Sequence, residues 1–305
     1  MNLGNKIKIH SSAFKHIMMA DMFFHSFTTD VDLCRSHEND EQTDDERIKE
    51  VESLIDPFIS ANPYCSQFAL STGDMTPRRF DYLGKYMEFR PGPTGFPTVR
   101  DFDILLYCQS WLGNASLEGR DDDISDLLEF EIEDFYEFSG RSRNSDRGEA
   151  FEQALERLHS STMTTNTKPF GLDSKEVTQK YLKEYDLARD EQGRITTVTV
   201  RVLHRTCHLL KAEAFSLYHK DFILQSPVRR TIYMYLSINC FYECEDLTLS
   251  FAQLHKISEL AAPLRKLSSV IDDLVENPLP GFVAEVNEED ETVTFVCEFR
   301  SYVEL

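Results

Sequence analysis

Side chains that could recognise nucleic acid lie on the polar sides of two amphipathic segments. In the first segment the apolar residues are spaced as the buried stripe of a helix, at Phe151, Ala154, Leu155 and Leu158. The candidates for DNA contacts beside or opposite that stripe are Arg147, Gln153, Arg157 and Ser160. Glutamine suits adenine and arginine suits guanine or a phosphate, because both pairings are bidentate. Glu149 and Glu156 share this face and would repel phosphate, so an ordinary solvated helix face explains the pattern equally well.

The second segment runs from Pro263 and turns Leu264, Leu267, Ile271 and Leu274 inward. Its polar face presents Arg265, Lys266 and Ser269 first, and then Asp272, Asp273 and Glu276. Recognition helices contact base edges through their amino-terminal residues. The basic pair at the start of this helix is therefore the stronger candidate for DNA contact.

Further cations flank both segments. Lys168, Lys180 and Arg201 are candidates for phosphate contacts from a β-hairpin, although surface solubility accounts for them equally well. Arg229 and Arg230 could touch the DNA backbone or pair with nearby acids.

The elements that must position these residues follow one order twice. Apolar periodicity and turn signals predict three helices and then a hairpin, preceded by a further hairpin over 80–90. The first set is a helix from 98 to Gly113, helices over 132–138 and 147–158, a strand over 162–167, and a hairpin of 181–187 with 195–203. The second set is helices over 227–239, 250–257 and from 263, and a hairpin of 282–286 with 292–299.

Helix, turn, helix and hairpin is the order of a winged helix. The pattern therefore predicts an α+β chain with two tandem winged-helix domains, over 57–205 and 206–305, which would read adjacent DNA segments. An acidic amino-terminal appendage over 1–56, with one short helix, would precede them.

The charge of the chain is unfavourable for DNA binding. The 305 residues carry a formal net charge of −21, whereas phosphate neutralisation by basic residues supplies much of the affinity of DNA-binding proteins. The acids are concentrated in blocks at 38–56, 118–137 and 288–291, and the stretch 194–230 is basic. This distribution allows one basic face, but it also suits a chain that binds basic proteins.

Several of these segments carry a resemblance to a known family. Residues 95–107, Gly-Phe-Pro-Thr-Val-Arg-Asp-Phe-Asp-Ile-Leu-Leu-Tyr, are similar to the "G-x-(P/A)-T-(I/V)-x-D-x-D-I-L-I-Y" segment of the plasmid-encoded replication initiator protein A family of proteobacteria. The helix 154–158 with the threonine-rich strand 162–166, the stretch 229–236 and the turn 279–282 resemble its other landmarks. The resemblance covers about 57–286.

The resemblance implies a function. Members of that family bind repeated sequences in double-stranded DNA at a plasmid origin, open the duplex and recruit host replication proteins, namely the helicase or its loader. Some repress their own gene. The resemblance also implies a change between dimer and monomer, so a homodimer is an expected partner.

Other classes of function receive less support. The sequence contains no GxxxxGK[ST], GxSxG, HExxH or GxGxxG motif, so we expect no enzyme and no cofactor. Cys240, Cys244 and His255 lack a fourth metal ligand, and Asp101 with Asp103 fits a first helical turn better than a metal pair. Seven scattered cysteines and the absence of a long apolar run indicate a cytoplasmic protein that does not enter a membrane.

Two alternatives to an initiator stay open. One is an acidic winged-helix transcriptional regulator or protein-interaction module that no longer initiates replication. The other is an enzyme whose site is assembled from residues distant in sequence.

Overall fold

The computed structural model describes residues 7–9, 17–21, 67–82, 85–120, 124–141, 147–166, 176–203, 215–240, 246–258 and 265–298. Only the backbone is described at 7–9, 17–21, 82, 85, 117, 147, 215–217, 238 and 265–266. The helices are α1 Phe102–Leu117, α2 Ile132–Ser139, α3 Arg147–Ser160, a 3-10 helix Lys220–Leu224, α4 Pro227–Cys240, α5 Phe251–Ile257 and α6 Arg265–Glu276.

The strands in the same part of the chain form four sheets. They are β1 Ile7–Ile9, β2 Ile17–Asp21, β3 Arg78–Tyr82, β4 Lys85–Arg90, β5 Leu127–Glu131, β6 Thr162–Thr165, β7 Val177–Lys180, β8 Glu184–Arg189, β9 Ile195–Arg201, β10 Phe215–His219, β11 Leu247–Ser250, β12 Phe282–Asn287 and β13 Thr292–Cys297. No helix among the described residues is long and apolar enough to cross a membrane.

The chain contains one arrangement twice. In the first repeat α1 is followed by β5, α2, α3 and the hairpin β8–β9, and β5 and β8 pair antiparallel on either side of β9. In the second repeat α4 is followed by β11, α5, α6 and the hairpin β12–β13, and β11 and β12 pair antiparallel on either side of β13. Each repeat is thus a layer of three helices against a small antiparallel sheet.

The first repeat carries two additions. Strands β6 and β7 lie between α3 and the hairpin β8–β9, and they complete a four-stranded sheet in the order β3-β4-β6-β7. Strand β1 adds to the edge of the first repeat's sheet, parallel to β5. Strand β2 pairs with β10, which leads into the second repeat. Two pieces of the predicted amino-terminal appendage therefore pair with strands from later in the chain, and the rest of 1–56 lies outside the described residues.

Most predicted elements are confirmed, with shifted ends. The helices over 132–138, 147–158 and 227–239 and all three hairpins are present. Helix α5 begins with a capping box, in which Ser250 accepts from the Gln253 N–H and the Gln253 side chain accepts from the Ser250 N–H. The predicted stop at Gly113 is wrong, because this residue is buried inside α1 and the helix continues to Leu117. The start of α6 near Pro263 lies outside the described residues.

One continuous apolar core joins the two repeats. Tyr218 of β10 contacts Phe102 of α1 with ring centroids 6.4 Å apart, and it contacts Phe222 and Tyr233 at 4.8 and 5.6 Å. All four side chains are buried. The repeats therefore pack on each other through aromatic side chains that belong to both.

Candidate nucleic-acid interface

The apolar stripe of α3 forms part of the core, as predicted. Phe151, Ala154, Leu155 and Leu158 are all buried, with exposed fractions of 3% or less. Gln153 on the opposite face is exposed, and its side-chain amide donates to the Glu149 carboxylate at 3.2 Å. Gln153 is therefore accessible to a base edge in a groove.

Arg157 is not available for such a contact. Its guanidinium is buried and donates to both carboxylate oxygens of Asp101, at 2.7 and 3.0 Å. Asp101, at the amino-terminus of α1, also accepts from the Thr98 N–H at 2.7 Å. The prediction that Arg157 reads guanine or phosphate is corrected: its charge is neutralised inside the protein, where it joins α3 to α1.

Ser160 packs against the loop that contains Gly92. Its hydroxyl donates to the Glu156 carbonyl at 2.7 Å and the residue is half-buried. The hydroxyl oxygen lies 1.9 Å from where a Cβ at Gly92 would stand. A side chain at residue 92 would thus clash with α3, whereas the role of Ser160 as a DNA contact stays a prediction.

The acids on the polar face of α3 have partners. Glu152 accepts from the Arg189 guanidinium at 2.7 Å, and Glu156 accepts from the Tyr185 hydroxyl at 3.0 Å. Burial and this bond raise the pKa of Tyr185 to about 12. These contacts attach α3 to the hairpin β8–β9, and the Arg189 guanidinium balances the charge of Glu152.

A groove separates the start of α3 from the tip of the same hairpin. It has a volume of about 820 Å³. Its charged lining is of both signs, with Glu133 and Glu149 on the helix side and Arg189 and Arg194 on the hairpin. Arg194 pairs with Asp190 at 2.7 Å.

In the second repeat α6 takes the position that α3 has in the first. Leu267, Ile271 and Leu274 are buried against the repeat, and Ser269 is exposed. Arg265 and Lys266 are the first two residues of the helix, and their side chains lie outside the described residues. The basic pair thus lies at the amino-terminal end of the described part of the helix.

Arg229 caps the other end of α6. Its guanidinium donates to the Asp273 carboxylate at 2.8 Å and to the Asn277 carbonyl at 2.6 Å, and the residue is buried. A cation at the carboxyl end of a helix satisfies carbonyls that have no partner within the helix and interacts favourably with the helix dipole. Of the two roles that the sequence left open for Arg229, the structure shows the pairing with an acid. The prediction that Arg229 contacts the DNA backbone is therefore corrected.

Arg230 is buried completely between the repeats. It donates to Asp103 of α1 at 2.5 Å, to the Val99 carbonyl at 3.4 Å and to the Ile223 carbonyl. Burial lowers the pKa of Arg230, and the Asp103 carboxylate opposes that change. The prediction that Arg230 contacts DNA is therefore corrected as well.

The predicted hairpin contacts lie in three different environments. Arg201 donates to Asp126 at 2.7 Å and to Glu184 at 2.5 Å, so its charge is balanced by two carboxylates. Lys180 is exposed on the edge strand β7, with its ammonium 3.3 Å from the His159 ring. Lys168 and the side chain of Arg147 lie outside the described residues.

The cysteines and possible metal ligands that the sequence analysis considered are consistent with a role in packing. Cys240 is buried in α4, and Cys244 lies outside the described residues. Within the described part of the chain no three metal-ligating side chains come together. Burial raises the pKa of the Cys108 thiol, so this cysteine is held as a neutral core residue.

Comparison with known proteins decides the family. The family model of replication initiator protein A matches residues 63–283. This chain belongs to the replication initiator protein A family. No curated protein matches it.

Two crystal structures of RctB are similar to this family member in fold. The structure of selenomethionine derivatives of domains 2 and 3 has a TM-score of 0.56 and 13% identity, over 78% of this chain and 96% of that one. A structure of RctB domains 2-3 has a TM-score of 0.52 and 12% identity, over 79% and 99%.

The segments that resemble the family are joined in space. The segment 95–107 contributes Asp101 and Asp103, the helix 154–158 contributes Arg157, and the stretch 229–236 contributes Arg230. Sequence reasoning assigned both aspartates to an ordinary helix start. The sequence offered one hint of these ion pairs. Aspartates and arginines, which carry opposite charges, stand in separate segments of the same family pattern.

Proposed function

We propose that this member of the replication initiator protein A family binds repeated sequences in double-stranded origin DNA through two winged-helix domains. The observation that carries the proposal is the repeated arrangement of a helix, a strand, two helices and a hairpin, with equivalent strand orders β5-β9-β8 and β11-β13-β12. In a winged helix the third helix enters the major groove, so α3 and α6 are the recognition helices and the two hairpins are the wings.

The recognition residues of this proposal are few. Gln153 and Ser269 are exposed on α3 and α6, and Arg265 and Lys266 begin α6. Lys180 is an exposed lysine beside α3. Arg157, Arg229 and Arg230 position the helices instead of touching DNA.

The wider role follows from the family. Once bound to the repeats of a plasmid origin, the chain would promote opening of the duplex and recruit a helicase or its loader in the cytoplasm, as a monomer or a homodimer. The proposal assigns no catalytic step and no cofactor to it.

Fluorescence anisotropy tests the proposal. The full chain is titrated into labelled duplex DNA from upstream of its own gene and into a scrambled duplex, over a series of salt concentrations. We expect preferential binding to the first duplex, with affinity that falls as salt rises. Equal binding to both duplexes, or none at low salt, contradicts the proposal.

Two variants locate the interface. Replacing both Arg265 and Lys266 with alanine should weaken the preference for the upstream duplex. The control is Arg79→Ala, which removes an exposed arginine that pairs with Asp81 on a different sheet. An unchanged preference in the double variant contradicts the assignment of α6.

A second candidate is supported by the second wing. Its tip, residues 288–291, consists of four exposed acids, which would repel phosphate and attract a basic protein. This regulator or protein-interaction module would keep its partner in the Arg265, Lys266 double variant and lose it when the tip acids are replaced. An initiator would show the opposite pattern.

A further inference from the structure

Each repeat has an ion pair between the start of its first helix and the end of its third. In the first repeat Asp101, at the amino-terminus of α1, pairs with Arg157 of α3 at 2.7 Å. In the second repeat Arg229, in the first turn of α4, pairs with Asp273 of α6 at 2.8 Å. Arg157 and Asp273 each lie three residues before the last residue of their helix. The contact is the same in both repeats, with the two charges exchanged.

A third ion pair joins the two first helices. Asp103 of α1 and Arg230 of α4 are both completely buried and lie 2.5 Å apart. Asp103 also accepts from Arg141, which follows α2, at 2.5 Å. Because Asp103 is two residues from Asp101 and Arg230 is next to Arg229, the three pairs form one chain of contacts from the end of α3 to the end of α6.

We propose that these three Asp–Arg pairs set the position of α6 relative to α3, and with it the number of base pairs between the two DNA segments that the chain reads. The second half of this inference rests on the function proposed above. The partner is therefore a duplex with two recognition segments at one fixed separation.

The ion pairs, rather than the apolar contacts, determine how the two repeats are placed relative to each other. The aromatic contacts of Phe102, Tyr218 and Phe222 at the same junction have tilted and edge-to-face geometry, but this preference is weak beside the cost of an unpaired buried charge. A buried carboxylate and a buried guanidinium must meet, because each is strongly unfavourable without its partner. The guanidinium carbon of Arg230 also lies 5.3 Å from the Phe222 ring centre, so one side chain contributes to both kinds of contact.

The first test needs no DNA. Spin labels on non-canonical amino acids at Glu191 and Glu289, exposed at the tips of the two wings, report the distance between the repeats by double electron–electron resonance. The unaltered chain should give one narrow distance distribution. The double variant Asp103→Leu, Arg230→Met replaces the two fully buried charges with apolar groups of similar size, and Arg141, which is partly exposed, keeps its bond to the Arg100 carbonyl. The fold is therefore retained, and the distribution should broaden or split. Arg79→Met, at an exposed pair with Asp81, is the matched control.

The second test uses duplexes. Footprinting of the upstream duplex defines the two recognition segments, and the spacer between them is then varied one base pair at a time. The unaltered chain should prefer one spacer by about tenfold, the loss expected from a misplaced base contact. The double variant should bind the separate segments as before and lose that preference.

The outcomes separate the two proposals. A narrow and unshifted distance distribution in the double variant overturns the inference, whatever the DNA result. An unchanged spacer preference in that variant overturns the part that concerns DNA. If the unaltered chain binds no duplex, the proposed function and the spacing role both fail, and the distance measurement alone decides whether the ion pairs fix the repeats.

Discussion

Replacing Arg157 with methionine removes the guanidinium from a buried ion pair and leaves its partner without a counter-ion. Both side chains are almost fully buried, at 7% exposure for Arg157 and 5% for Asp101. Breaking a buried pair in this way destabilises a protein by about 3–5 kcal/mol. Asp101 retains the hydrogen bond from the Thr98 N–H, so we expect the lower end, about 3 kcal/mol. In a domain of this size that lowers Tm by roughly 6–12 °C.

Thermal and urea unfolding at pH 7, followed by circular dichroism, measure the change. The double variant Asp101→Leu, Arg157→Met should recover most of the stability, because no buried charge is left unpaired. A single variant with the Tm of the unaltered chain but weaker binding to DNA would refute the reasoning, since it would show that Arg157 acts at the surface.

Three further results are expected from the same geometry. Arg229→Ala should lower the free energy of unfolding by about 1.5–3 kcal/mol, the range for hydrogen bonds to a charged group, and speed amide exchange in the last turn of α6. Gln153→Ala should leave the Tm unchanged and weaken the preference for the upstream duplex by about 1–3 kcal/mol, measured by competition. Burial raises the pKa of Tyr185 and Tyr233 to about 12, above the unfolded value near 10. Their contribution to stability is therefore complete below pH 10 and is lost as the pH rises through about 12, which urea unfolding across that range measures.

The helices could be predicted because their apolar residues recur at helical spacing and are the residues that become buried. Leu267, Ile271 and Leu274 recur at helical spacing, and each is buried. The capping box at Ser250 is equally local, since its two partners are three residues apart. Signals of this kind need no knowledge of the rest of the chain.

Strand β5 was not predicted, because its acidic composition obscured the alternation of its buried residues. Leu127–Glu131 lies inside the acidic block 118–137, where the sequence analysis placed no strand. Its side chains nevertheless alternate, with Leu128 and Phe130 completely buried and the others half-buried. This strand is the central evidence for the repeat, since it pairs with β9 as β11 pairs with β13.

The roles of the arginines were beyond local reasoning. The partner of Arg157 is 56 residues away in sequence and that of Arg230 is 127 residues away. An arginine on a helix flank has the same local pattern whether it binds phosphate or a distant aspartate. Only the packing of the helices distinguishes the two.

This pairing bears on how a chain with a net charge of −21 would carry out the proposed recognition of DNA. Among the arginines whose side chains the structure describes, all except the exposed Arg100 form an ion pair with a carboxylate. A paired arginine neutralises a phosphate only by giving up its carboxylate, so these residues add little to counterion release. The slope of log affinity against log salt is about −0.9 for each phosphate neutralised. A shallow slope would therefore mean that base contacts supply most of the affinity, whereas a steep one would assign the phosphate contacts to lysines such as Lys180 and to the basic start of α6.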